Sequence, residues 1–155
     1  MLKDIFKEEY ILFNDEASSK EEALENIAIF AEEQEIVKSK KAYLKGLKKR
    51  EEEITTGFKD GIAIPHCKHK TVRRPSLMLM KFTNPIEWES MDDLPVTFAF
   101  ALAIPNENNQ DHLKLLSSVS RALIDETFVH TILHASSAEE LYQAMMEKFN
   151  IVQND

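Results

Sequence analysis

The stretch Gly61-Ile62-Ala63-Ile64-Pro65-His66-Cys67-Lys68-His69-Lys70 gathers two imidazoles and a thiol immediately after an apolar run. A histidine in this place can be a nucleophile, a metal ligand or a polar residue that starts a loop. Pro65 fixes its own φ and pushes Ile64 toward extended geometry, so the strand is expected to end there and present His66 from a strand-end loop. In covered α/β sheets, ligands bind at such strand ends. On this stretch alone, a functional histidine and an inconsequential one stand level.

A second histidine lies in His112-Leu113-Lys114-Leu115-Leu116. With a helix beginning near Asn109, His112 falls in its first turn, and Leu115, Leu116, Val119 and Leu123 continue the same face. His112 is therefore expected to point inward at a helix N-terminus, where free N–H groups and the helix dipole favour an anion such as phosphate. The bland alternative is a partly buried histidine satisfied by a backbone carbonyl.

Metal binding is the rival chemistry. His66 and His69 are three apart, and His130 and His134 are four apart on a predicted helix, but neither pair has a third ligand at a recognised spacing. Beside Phe128 and Leu133, the second pair reads as a helix edge. Cys67 reads as a small, partly buried hydrophobe rather than a reactive thiol. No Ser-His-Asp order, Gly-rich phosphate loop or paired-carboxylate motif is present. The residues themselves lead to one exposed histidine, one inward histidine and a nearby arginine of undefined geometry.

These residues need elements to hold them. Ser18-Ser19 before KEEALENIAIFAEEQEI predicts a capped helix over about 19–35, and Tyr43, Leu44 and Leu47 share a face of a second over about 39–52. The period then changes. Ile62–Ile64, Leu77–Phe82 and Val96–Ile104 read as strands, the last two apolar almost throughout and so buried on both faces. Pro85-Ile86-Glu87-Trp88 suggests a short edge strand, where proline is tolerated. Three helices follow from Asn109, the last capped by Ser136 or Ser137. The expectation is an α/β three-layer sandwich, a small, mostly buried mixed β-sheet covered by helices on both faces.

The chain has 155 residues, within the range of a single domain, and one cysteine, which excludes an internal disulfide. Charges at Lys3, Asp4 and Lys7 to Glu9 interrupt any signal-peptide core, and no run reaches membrane-spanning length. A cytoplasmic location is expected. The net charge of −8 argues against nucleic acid or anionic membrane as a general partner. The basic cluster from Lys45 to Arg50 runs straight into Glu51-Glu52-Glu53 and reads as a solvated helix face.

Taken in order, Arg50-Glu51, Thr56-Gly57, Gly61-Ile62-Ala63-Ile64-Pro65-His66, Pro85-Ile86-Glu87-Trp88 and His112-Leu113 with Leu115-Leu116 resemble a known family. It is the enzyme IIA components, fructose–mannitol class, of the bacterial phosphoenolpyruvate-dependent sugar phosphotransferase system. The likeness runs over roughly residues 5–148, including SRALIDETFVHTILHASSAEEL, and implies one phosphocarrier domain over 1–155. It implies that His66 accepts a phosphoryl group from the histidine-containing phosphocarrier protein and passes it to a cysteine of enzyme IIB, with His112 and Arg50 completing the site. It implies no cofactor and no metal, and contact with a membrane only through enzyme IIC.

Physics agrees with such roles. A neutral imidazole, with an ordinary pKa of about 6.5, is a competent nucleophile, and its adduct adds about −1.5 to −2 charges that something must hold. Arg50 offers a fork of donors and His112 one more. Phe58-Lys59-Asp60 stands where family members commonly have a second small residue, and Cys67 where alanine or glycine is frequent. Those departures bear on the sugar and the partner; Lys59 and Lys68 are candidates for docking a partner. A regulatory relative, of the nitrogen-related or transcription-regulator type, is the competing reading, and a metal-dependent hydrolase the third.

Overall fold

In the computed structural model, which describes residues 2–107 and 109–154, the chain opens with a short helix α1 (Leu2–Ile5), a 3-10 turn (Glu8–Tyr10) and strand β1 (Ile11–Asn14). Helices α2 (Lys20–Glu33) and α3 (Lys40–Glu53) follow, then β2 (Ile62–Ala63), β3 (His66–Lys68), β4 (Ser76–Ile86) and β5 (Val96–Ile104). Helices α4 (Asn109–Ala122), α5 (Glu126–His134) and α6 (Ala138–Asn154) close the order.

The caps explain the helix starts. Ser19 accepts from the Glu22 N–H and Ser39 from the Ala42 N–H, each satisfying a donor that a helix N-terminus leaves free. Asp125 does the same for Thr127 and Phe128 of α5, and Ser137, rather than Ser136, accepts from Glu140 at the start of α6.

β4 and β5 pair antiparallel, with Leu79 opposite Phe100. β1 adds parallel to β4, while β2 and β3 both add parallel to β5, giving a mixed five-stranded sheet in the order β1-β4-β5-β2 with β3 beside β5. α2 and α3 pack on each other and on β4 and β3, and α1 and α4 to α6 form a second group over β4 and β1. The expected three-layer α/β sandwich is the fold. β5 is buried along both faces apart from half-buried Thr97, as a covered strand should be.

Three local readings are corrected, and two elements are additional to those expected. β1 and α1 carry no signal long enough to see in sequence. Pro85-Ile86 is not a separate edge strand: Ile86 pairs with Val96, so it ends β4 beyond a register shift. Helix α2, expected to reach about residue 35, stops at Glu33 because Glu35 takes a positive φ of 58°, which ends helical geometry. Most important for the site, His66 is not in a loop. Pro65 does break the strand, but the Pro65 carbonyl accepts from the Leu102 N–H at 2.9 Å and His66 resumes the pairing opposite Leu102.

Candidate functional site

The interruption between β2 and β3 builds the centre of the site. Ile64 turns its N–H to the Thr56 carbonyl at 2.9 Å, and its own carbonyl lies 2.8 Å from Nδ1 of His66. From the other side, Nε of Arg50 lies 3.0 Å from Nε2 of the same ring. An arginine N–H can only donate, so Nε2 accepts; Nδ1 must then carry the proton and donate to Ile64. The two bonds select one neutral tautomer and put the lone pair on Nε2.

Arg50 stands in the last turn of α3, and its Nη1 donates to the Ile54 carbonyl at 2.7 Å. Among the described residues no carboxylate pairs with its guanidinium. Its neighbour Glu51 is committed elsewhere. That carboxylate, only 7% exposed, takes Lys20 Nζ at 2.8 Å, the Thr56 N–H at 3.1 Å and the Thr56 hydroxyl. The indole N–H of buried Trp88 donates to the same hydroxyl at 3.2 Å, and Lys20 lies over the Trp88 ring. This network ties α2, the end of α3 and the turn after β4 to the segment leading into β2.

His112 stands in the first turn of α4, with its ring centroid 5.5 Å from that of His66 and tilted by 53°. Its Nε2 is buried without a hydrogen-bond partner among the described residues. A buried polar atom left unpaired costs free energy, so this nitrogen is open to a partner that enters the site. Burial, above all, lowers the pKa of both rings: for His66, Arg50 and His112 add to the effect while the Ile64 carbonyl and Glu51 oppose it. For His112, the positive charges of Lys68 and Arg50 add to burial. Both rings are therefore uncharged near neutral pH, which leaves His66 with a free electron pair.

The arrangement can form one covalent bond at Nε2 and hold an oxyanion group against a guanidinium and the imidazole of His112. His66, His112 and Arg50 thus converge from β3, α4 and α3. The other candidates do not join them. His69 Nδ1 accepts from the Thr71 N–H at 2.9 Å and serves a turn. His130 and His134 stack at 4.0 Å on α5, with Nδ1 of His134 on the His130 carbonyl. Among the described residues no three His, Cys, Asp or Glu side chains gather as a metal site. Cys67 is buried, and burial pushes its thiol up to about 11, so it is protonated at neutral pH. Lys59 lies beside Asp60, whereas Lys68 contributes to the field at His112. Sequence reasoning missed Lys20 and Glu51 as parts of one network, because they are far apart in the chain and each looks like an ordinary helix-surface charge.

The family model described as "Phosphoenolpyruvate-dependent sugar phosphotransferase system, EIIA 2" matches residues 4–148. A PTS system fructose-specific EIIA component from Haloferax volcanii is 32% identical over 139 residues, 90% of each chain. Among solved structures, nitrogen regulatory protein IIA-Ntr from Neisseria meningitidis superposes with a TM-score of 0.84 at 26% identity, covering 91% of this chain and 96% of that one. The enzyme IIA of mannitol from Escherichia coli, solved in complex with its phosphorylated enzyme IIB, gives 0.78 at 19% identity over 92% of this chain and 97% of that one, a likeness of fold.

Proposed function

The chain belongs to the EIIA 2 family of the phosphoenolpyruvate-dependent sugar phosphotransferase system, and from that premise we propose that it is a cytoplasmic phosphocarrier for sugar uptake, with His66 as its acceptor. The observation that carries this reading is the pair of bonds on the His66 ring, Arg50 to Nε2 and Nδ1 to Ile64, which fixes a neutral tautomer with its lone pair on Nε2.

The steps follow from that geometry. The Nε2 lone pair attacks the phosphorus carried on a histidine of the phosphocarrier protein; the new N–P bond forms as the old one breaks, and its electron pair returns to the donor's imidazole. His66 gains positive charge on its ring, and Nδ1–H keeps its bond to the Ile64 carbonyl, which disperses that charge. Arg50 moves from Nε2 to the phosphoryl oxygens, and Nε2–H of His112 donates to another. Enzyme IIB then takes the group when its cysteine thiolate attacks phosphorus and the N–P electron pair returns to Nε2. Throughout, catalysis is positioning and charge stabilisation. The pairing with an enzyme IIB is supported by the mannitol relative, which has been solved with its own.

The test is phosphorylation with phosphoenolpyruvate and the two general proteins of the system. An acid-labile adduct is expected that disappears in His66→Ala; undiminished labelling of that variant sinks the assignment. A second reading, regulation through the phosphorylation state, is favoured by the likeness to nitrogen regulatory protein IIA-Ntr at 26% identity. The two part at the next step: transfer to a cognate IIB supports transport, and a partner that binds only one phosphorylation state supports regulation.

A further inference from the structure

We propose that Gly46 and Cys67 form a matched pair that sets the approach of α3 to β3 and, through it, the placing of Arg50 on His66. The inference rests on the reading of His66 and Arg50 given above. Glycine is a poor helix former, so its place inside α3 calls for a reason. A methyl group built on Gly46 would overlap Sγ of Cys67 deeply, while its distances to Cβ of Cys67 and Cδ2 of His69, 3.7 and 3.8 Å, are ordinary contacts. The thiol thus fills the notch that the missing methyl leaves.

Arg50 lies one turn beyond Gly46 on the same face of α3. Cys67 follows His66 in β3. The contact between the helix and the strand is therefore one residue from the nucleophile and one turn from its guanidinium. Tyr43 anchors the other end of this face, buried and donating its hydroxyl to the Leu102 carbonyl at 3.0 Å. A methyl forced between Gly46 and Cys67 would pivot the last turns of α3 outward about that anchor and draw Nε of Arg50 away from Nε2 of His66. The competing relief is rotation of the thiol within β3, and it would leave Arg50 in place.

Four proteins decide between these: wild type, Gly46→Ala, Cys67→Ala and the double variant. Two quantities are read, the single-turnover rate of phosphoryl acceptance and the His66 titration followed by NMR without any phosphoryl donor. Gly46→Ala should accept about 10- to 100-fold more slowly, since a displacement of about 1 Å costs up to about 10²-fold. Its His66 pKa should rise toward the ordinary histidine value as the arginine withdraws. Cys67→Ala should stay within about threefold of wild type. The double variant should return to that range, because its two methyl carbons fit at an ordinary contact distance.

Wild-type rate and titration in Gly46→Ala overturn the proposal, as does a double variant no faster than Gly46→Ala. Should Gly46→Ala not fold, the double variant is compared with Cys67→Ala, and a tenfold deficit in it overturns the pairing. A wild-type protein that accepts nothing at His66 defeats the functional reading, while the donor-free titration still decides the pairing.

Discussion

At His66 the two ring nitrogens have different tasks. Nδ1 holds the proton against the Ile64 carbonyl, and Nε2 keeps the lone pair under Arg50. In the proposed mechanism His112 supplies a single donor, so His112→Ala should still be labelled but should transfer about 10²–10³-fold more slowly, the usual cost of one preorganised donor. Single-turnover transfer to enzyme IIB measures this. Arg50→Lys keeps the charge and loses the fork; its transfer rate should lie between those of wild type and Arg50→Ala. The lowered pKa values of His66 and His112 have a consequence for stability. As pH falls below the ordinary value of about 6.5, the unfolded chain takes up protons that the folded rings refuse. The stability present above that pH is lost as pH falls through the folded values. Urea unfolding between neutral pH and about pH 5 should show the loss, and His66→Gln should reduce it. An equal loss in both proteins contradicts the assignment to His66.

At the scale of elements, the Lys20–Glu51–Thr56–Trp88 network holds the segment that ends at β2. Glu51→Ala would leave the Thr56 donors and Lys20 without their acceptor. Because Lys20 retains some access to water, the cost should be about 1–3 kcal/mol, seen as a drop in Tm of roughly 2–4 °C per kcal/mol. Asp125→Ala removes the cap of α5 and the partner of Lys148, which lies 2.8 Å away. Its cost should be about 1 kcal/mol, with no effect on phosphoryl acceptance. The helix starts at Ser19 and Ser39 were legible in the sequence because capping is local. The return of His66 to the sheet was not, since Pro65 signals a break and only β5, some 35 positions on, supplies the partner that resumes pairing. Lys81 is a similar case. It interrupts an apolar strand, and its purpose emerges only when Nζ is seen to donate to the Leu133 and Ala135 carbonyls at the end of α5.

For the whole molecule, the layers follow from two apolar strands that must be covered on both faces, which the sequence pattern carries. Strand order does not follow from pattern, because the parallel additions of β1 to β4 and of β2 and β3 to β5 are non-local. The same non-local order brings a helix C-terminus, a strand start and a helix N-terminus to one point, where His66, Arg50 and His112 meet. The net charge of −8 makes that point significant: a guanidinium without a carboxylate partner among the described residues is a place where further negative charge can be held. The most direct measurement is NMR of the phosphorylated protein with ¹⁵N-labelled histidine. The account predicts phosphorus coupled to Nε2 of His66, with the proton retained on Nδ1. Phosphorus on Nδ1, or on His112, would contradict it.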